Sequence, residues 1–106
     1  MHRLTISYSM PADVDAFDAD YRDGHVPLAS KMPGLRCYVL SHPRALGPGE
    51  VPYLVAELWF DDAEALKAAR RSPEGAAAAA DAQQLVEKHG VAAMTFTTGE
   101  VTELPA

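Results

Sequence analysis

The fold of this chain is decided by one run near its middle, Tyr53 to Phe60, which is written YLVAELWF. Alternate residues of an extended chain point to opposite faces of a sheet. One face therefore carries Leu54, Ala56, Leu58 and Phe60, and the other carries Tyr53, Val55, Glu57 and Trp59. Nearly all of these residues are apolar, which is typical of a strand that is covered on both faces.

A second strand is predicted just before this run, from Leu35 to about His42. The segment between the two strands, Pro43 to Pro52, is rich in glycine and proline, which favours an exposed hairpin loop. Further upstream, His2 to Ser9 alternates polar and apolar residues, as a first strand does. These patterns predict three strands in the first part of the chain.

A helix is predicted between the first two strands. Asp13 is a suitable N-cap, and apolar residues follow it at helical spacing. They are Val14, Phe17, Tyr21, His25 and Leu28. We expect the helix to kink or restart near Pro27, which cannot donate a backbone hydrogen bond, and a turn at Met32 to Gly34.

Two shorter patterns follow the central run. Asp61 or Asp62 can cap a helix that extends through Arg71, and Ser72 with Pro73 can open another that ends at Gly90. Within it lies an alanine run, Ala76 to Ala80, which predicts a thin helix packed closely against something. A fourth strand is expected from Ala92 to Val101.

The resulting order, β-α-β-β-α-β, predicts one α+β domain over residues 1–106 with a ferredoxin-like, antiparallel sheet and its helices on one face. Strict alternation assigns the following residues to the opposite face: Thr5, Ser7, Arg36, Tyr38, His42, Tyr53, Glu57, Trp59, Thr95 and Thr97. Large aromatic residues on a face without helices favour packing against a second sheet. We therefore expect a homodimer formed through this sheet face, with a partly polar cavity.

Composition excludes some partners. The formal net charge is −6, and an acidic surface disfavours nucleic acid, whose phosphates need clustered Lys and Arg. Cys37 is the only cysteine, so we expect no disulfide within the chain and interpret Cys37 as a small buried side chain. With no signal-peptide pattern and no membrane-spanning run, the expected location is the cytoplasm.

His25 and Tyr38 are the candidate catalytic residues. His25 follows Phe17 and Tyr21 at four-residue steps on the inward face of the helix, and histidine moves protons near neutral pH. The alternative is a core histidine bonded to a backbone carbonyl. The Tyr38 phenol could orient a carbonyl or act as an acid, or it could simply pack with its tip in water.

Four further residues are candidate ligand contacts, and they are Tyr21, Tyr53, Glu57 and Trp59. A desolvated Glu57 would have a raised pKa, although pairing with Arg36 is an equal alternative. We expect Asp18 to be solvated and Asp81 to be structural. No metal motif and no glycine-rich phosphate loop is present, which predicts neither a metal nor a cofactor.

Two segments resemble the EthD family, named for ethyl tert-butyl ether degradation. They are Phe17 to Leu28 (FDADYRDGHVPL) and Ser72 to Asp81 (SPEGAAAAAD). With the strand order, the resemblance extends over nearly the whole chain, and it implies a dimeric α+β barrel.

A further similarity is to the methylmuconolactone methylisomerase branch of these barrels. It covers His25, Met32 to Leu35, Tyr38 and Val51 to Leu54, and it implies that His25 and Tyr38 are pocket residues. Leu58 stands at the position of that branch's pocket thiol, and Glu50 at that of its second pocket histidine. Since Leu58 cannot transfer a proton, the resemblance does not carry over that isomerase reaction.

The leading hypothesis is a cofactor-independent enzyme that performs acid–base chemistry on a small, partly apolar organic compound. Isomerisation, cyclisation and decarboxylation all fit. The competing hypothesis is a non-catalytic ligand-binding or accessory protein of a catabolic or biosynthetic pathway. A haem or oxygen enzyme is a third option, since other dimeric α+β barrels include both.

Overall fold

The structure is a computed structural model that describes residues 1–105. Its strands are β1 (His2–Tyr8), β2 (Cys37–Ser41), β3 (Leu54–Phe60) and β4 (Met94–Glu100). Its helices are α1 (Val14–Asp20), a π-helical turn (Tyr21–His25), α2 (Val26–Ala29), α3 (Ala63–Arg71) and α4 (Pro73–Lys88). The predicted β-α-β-β-α-β order and the α+β fold are confirmed.

Side-chain caps begin the longer helices where the sequence predicts them. Asp13 accepts a hydrogen bond from the backbone N–H of Ala16, and Asp62 accepts one from Ala65. Ser72 does the same for Gly75 at 3.0 Å, with Pro73 in the first turn of α4. Each cap satisfies a backbone donor that has no partner within its own helix.

The four strands form an antiparallel sheet in the order β2-β3-β1-β4. β1 and β3 are its central pair, with Ile6 opposite Ala56. The side chains on the helix side of this pair are buried, and they are Leu4, Ile6, Tyr8, Leu54, Ala56, Leu58 and Phe60. The core therefore lies between the sheet and the helices.

The predicted faces of Tyr38, Tyr53 and Cys37 are wrong. Tyr38 is paired with Leu58, so it lies on the helix side of the sheet, and Cys37 lies exposed on the opposite, outer face. Tyr53 precedes β3, and its hydroxyl donates to Asp18 of α1. Alternation within β2 does not show which residues face the helices, because apolar residues occur on both faces of the strand. The pairing of β2 with β3 decides which face each side chain takes.

Two predicted charge environments also differ. Glu57 is on the outer face as predicted, but its partner is Arg3 of the adjacent β1, at 3.0 Å. Arg36 instead binds Asp61 through two hydrogen bonds. Asp18, which we expected to be solvated, accepts the Tyr53 hydroxyl at 2.8 Å. Each partner comes from an element far away in the chain.

The outer face of the sheet has no helix over it. It carries the half-buried Trp59 and Val55, and Val39, which is 41% exposed. Homodimerisation through this face stays a prediction. Among residues 1–105, no helix is long and apolar enough to cross a membrane. Cytoplasmic location likewise stays a prediction.

Candidate functional site

A cavity of about 100 Å³ lies between α4 and the helix side of the sheet. Leu4, Ile6 and Leu58 contribute its sheet wall. The α4 wall consists of small residues, namely Gly75, Ala78, Ala79 and Ala82. The predicted thin helix therefore leaves a space that larger side chains would fill.

Gly75 fixes how closely α4 follows α3. It is buried, and a Cβ atom at this position would collide with the backbone carbonyls of Ala69 and Arg70. Protein interiors do not absorb such an overlap without a backbone shift. Glycine therefore permits the tight corner that places the alanine face over the sheet.

His25 lies in the wall of this cavity and is 3% exposed. Its Nδ1 is 2.9 Å from Oδ2 of Asp81, a residue of α4. Burial lowers the pKa of His25 below its ordinary value of 6.5, and the Asp81 carboxylate opposes that shift. This shift favours the neutral ring at pH 7, and in that form Nδ1 donates a hydrogen bond to Asp81, because a carboxylate can only accept one. Nε2 has no hydrogen-bond partner within the described part of the chain.

Two tyrosine hydroxyls accompany His25. The Tyr21 and Tyr38 oxygens are 2.7 Å apart, and the Tyr21 ring centroid is 5.0 Å from that of His25. Burial raises the pKa of both phenols, so both stay protonated at neutral pH. Tyr38 lines the cavity and can donate a hydrogen bond there.

The structure thus brings together both predicted catalytic residues, with Tyr21 behind Tyr38. Leu58 also lines the cavity, so His25, Tyr38 and Leu58 converge there once β2 is assigned its observed face, whereas Glu50 does not line the cavity. Similarity to that branch stays a prediction.

The other predicted ligand contacts do not line this cavity. Glu57 and Trp59 lie on the outer face of the sheet, and Tyr53 packs against Phe17, with ring centroids 6.1 Å apart. Their contact with a ligand stays a prediction, and for Glu57 and Trp59 it requires a ligand on the outer face.

Sequence reasoning missed the link between Asp81 and His25. Asp81 lies 56 residues after His25, and no periodicity connects the two positions. It also missed Arg70 and Phe96, which line the cavity from α3 and β4. For Phe96, the signal in the sequence was that it shares a face with Met94 on the predicted fourth strand. For Arg70 there was no such signal.

Residues 1–105 contain no group of three or more His, Cys, Asp or Glu side chains placed to hold a metal ion. His25 has one carboxylate neighbour, and Cys37 lies on the other side of the sheet. A mechanism without a metal or cofactor stays a prediction.

Comparison with known proteins gives relatives along the whole chain. An uncharacterized 11.0 kDa protein from the thcB-thcC intergenic region of Rhodococcus erythropolis is 38% identical over 106 residues, which is 99% of this chain and 100% of that protein. The crystal structure of an ethyl tert-butyl ether (EthD) family protein from Bacillus halodurans is 35% identical, with a TM-score of 0.81, covering 96% of this chain and 99% of that one.

The fold alone is shared more widely. A dimeric ferredoxin-like protein of unknown function from Thermobifida fusca has a TM-score of 0.68 at 14% identity, covering 94% of this chain and 90% of that one. Residues 10–89 match the EthD domain, a range that contains His25, Tyr38 and Asp81. The chain belongs to the EthD family.

Proposed function

We propose that this EthD protein binds a small, partly apolar organic compound in the cavity and performs acid–base chemistry on it without a cofactor, as a step of a catabolic or biosynthetic pathway. The observation that carries the proposal is the state of His25. It is buried in a mainly apolar wall, and one ring nitrogen contacts Asp81 while the other has no hydrogen-bond partner among residues 1–105. A neutral imidazole in this state is ready to accept a proton.

The residues divide the chemistry between them. Nε2 of His25 removes a proton from the bound compound, and the Asp81 carboxylate stabilises the resulting imidazolium. The Tyr38 hydroxyl donates a hydrogen bond to an oxygen on which negative charge develops. Isomerisation, cyclisation and decarboxylation can all proceed by such proton transfers. General acid–base catalysis of this kind contributes about 10²–10⁴-fold to rate.

The size of the cavity limits the reacting part of the compound. Its volume of about 100 Å³ is below the roughly 150 Å³ of an engineered cavity that binds benzene. A short chain therefore fits inside the cavity, whereas a single ring fits only if part of it extends into the cavity entrance.

Homodimerisation through the outer face of the sheet is part of the same proposal. Val39, Val55 and Trp59 form a partly apolar patch there, around the Arg3–Glu57 salt bridge, and the indole N–H of Trp59 is buried without a partner in the described chain. Support also comes from the Thermobifida fusca protein, which is described as dimeric and shares the fold. A sheet-to-sheet interface would cover this patch.

One observation favours the alternative, a ligand-binding or accessory protein without catalysis. His89 is also buried, at 6% exposure, and its Nε2 lies 2.7 Å from Asp20. The chain therefore contains a second His–Asp pair, and neither His89 nor Asp20 lines the cavity next to His25. A His–Asp pair alone thus does not require catalysis, and the two functions must be separated by experiment.

The test uses small monocarboxylates from butyrate to benzoate, each with its amide, hereafter the acid–amide panel. Binding is measured by NMR titration to the wild type, to His25→Ala and to His89→Ala as the matched control. We expect His25→Ala to lose panel binding while remaining folded, and His89→Ala to keep it. Equal binding to the wild type and His25→Ala would overturn the proposal.

Catalysis is tested by incubating each protein in D₂O with the panel compounds that have a hydrogen on the carbon next to the carbonyl, which excludes benzoate and benzamide. If His25 removes a proton reversibly, the wild type exchanges a hydrogen next to the carbonyl for deuterium, and His25→Ala does not. Binding without exchange by the wild type would favour the accessory role.

A further inference from the structure

Arg70 lies where the cavity meets a second space. It lines the cavity together with His25, and it also lines a groove of about 440 Å³ beside α3. The groove is lined by further basic residues, Lys67, Arg71 and His2. A molecule seated in the cavity can therefore reach this basic groove through Arg70.

Asp61, Asp62 and Glu100 line an adjoining space that shares His2 and Ala63 with the groove, but they do not line the groove itself. The residues that line it within the described chain include no Asp or Glu. Lys67, Arg70 and Arg71 form no salt bridge among residues 1–105. The same holds for Arg22, Lys31 and Arg44, but Lys67, Arg70 and Arg71 lie together along one groove. A local cluster of unpaired cations in a chain of net charge −6 is a site for an anion.

Phe96 holds the Arg70 side chain at the cavity entrance. The guanidinium carbon lies 5.9 Å from the ring centroid of Phe96, which is 42% exposed on β4. A guanidinium over an aromatic face keeps its N–H donors free in its own plane. That plane matches the two oxygens of one carboxylate.

We propose that the compound bound by this site is an organic carboxylate, whose acid group binds Arg70 at the entrance while its apolar part lies in the cavity towards His25. Lys67 and Arg71 attract the anion without enclosing it. The inference rests on the proposed function, because it assumes that the cavity next to His25 is where the compound binds. It adds the substrate class and a residue that determines specificity.

Arg70 and Arg71 also lie in the last turn of α3, where cations stabilise the helix dipole. That role predicts a different result from the one proposed here. If Arg70 acted only on the helix dipole, its removal would lower the stability of the protein and leave the relative affinities for an acid and its amide unchanged.

The experiment measures affinities for the acid–amide panel in the wild type, in Arg70→Gln and in Arg44→Gln. Arg44 is the matched control, since it is an exposed arginine in the loop between β2 and β3 that lines neither space. We expect each acid to bind the wild type about tenfold more tightly than its amide. Arg70→Gln should remove that preference and keep the amide affinity, while Arg44→Gln should keep both. Added salt should weaken acid binding only.

Other outcomes separate this inference from the proposed function. Equal affinity for acid and amide, with His25 resonances still shifted on binding, would overturn the carboxylate inference and leave the proposed function standing. Retained acid preference in Arg70→Gln, or tighter binding of inorganic phosphate than of every carboxylate, would also overturn it. Failure of the whole panel to bind would contradict both.

Discussion

At the scale of single residues, this chain contains two buried histidines, each next to an aspartate, and they differ in their other neighbours. His89 packs edge-on against Phe17, with ring centroids 5.7 Å apart, and its partner Asp20 also binds Lys88. His25 has Asp81 on one side and the cavity on the other. The cavity, rather than the His–Asp pair, is what makes His25 available for chemistry.

Asp81→Asn tests how Asp81 acts on His25. Because the Asp81 carboxylate opposes the effect of burial, its removal should lower the pKa of His25 further, as followed by NMR. Loss of a hydrogen bond to a charged group should also cost about 1.5–3 kcal/mol of stability. Asp20→Asn, which alters the other pair, should leave the pKa of His25 unchanged. A His25 pKa that rises in Asp81→Asn would show that the carboxylate does not favour the imidazolium.

The sequence identified His25 and Tyr38 but neither the neighbour of His25 nor the face of Tyr38. The four-residue steps from Phe17 through Tyr21 indicate that His25 points inwards, because this local spacing continues from α1 into the π-helical turn. Contact between His25 and Asp81, in contrast, depends on how α4 packs against the π-helical turn. Pairing of β2 with β3 likewise depends on the loop between them, whose register no local pattern encodes.

At the scale of elements, two features of the helices build the site. The π-helical turn from Tyr21 to His25 is closed by a hydrogen bond from the Val26 N–H to the Tyr21 carbonyl, and it carries both Tyr21 and His25. Such turns often occur at functional sites. The alanine face of α4 supplies the open space opposite them. Of the kink or restart expected near Pro27, the structure shows a restart, since α2 begins at Val26 with Pro27 in its first turn.

Ala79→Leu tests whether the alanine face creates the binding space. Ala79 lines the cavity, so a leucine there should occupy it and weaken binding of the acid–amide panel at least tenfold. Ala79 is exposed, so the cost in stability should be below about 1 kcal/mol. Ala80→Leu is the matched control, because Ala80 is exposed on the same helix and lines no part of the cavity. Unchanged binding to Ala79→Leu would place the bound compound elsewhere.

At the scale of the whole molecule, the described chain is a thin slab with extents of 37 × 35 × 18 Å. Helices cover one face of its sheet and leave the outer face bare. The elements and their order follow from patterns in the sequence. Which residues meet across the sheet does not, since each contact joins segments that lie far apart in the chain.

Val39→Asp tests the proposed homodimer. A charge placed in the apolar outer face should leave the fold intact and convert a micromolar dimer into a monomer, as measured by light scattering. Leu46→Asp is the control, since Leu46 is fully exposed in the loop between β2 and β3 and should not affect association. A monomeric wild type at the same concentration would contradict the proposal.

The buried histidine also predicts how stability depends on pH. The folded-state pKa of His25 is lowered, so the unfolded chain binds more protons below about pH 6.5. The contribution of neutral His25 to stability is therefore complete above pH 6.5 and is lost as the pH falls through the lowered pKa. Denaturant unfolding at several pH values should show this loss in the wild type and a smaller one in His25→Asn. An equal loss in both would assign it to other groups.

The proposed role of His25 depends on the protonation state of its imidazole, and ¹⁵N NMR of the ring across pH measures that state directly. We predict a pKa below 6.5, and at pH 7 a neutral ring with its proton on Nδ1, the nitrogen that faces Asp81. That state leaves Nε2 free to take a proton from a bound compound. A ring that is still protonated at pH 7, or a neutral ring protonated on Nε2, would contradict the role of His25 as the base.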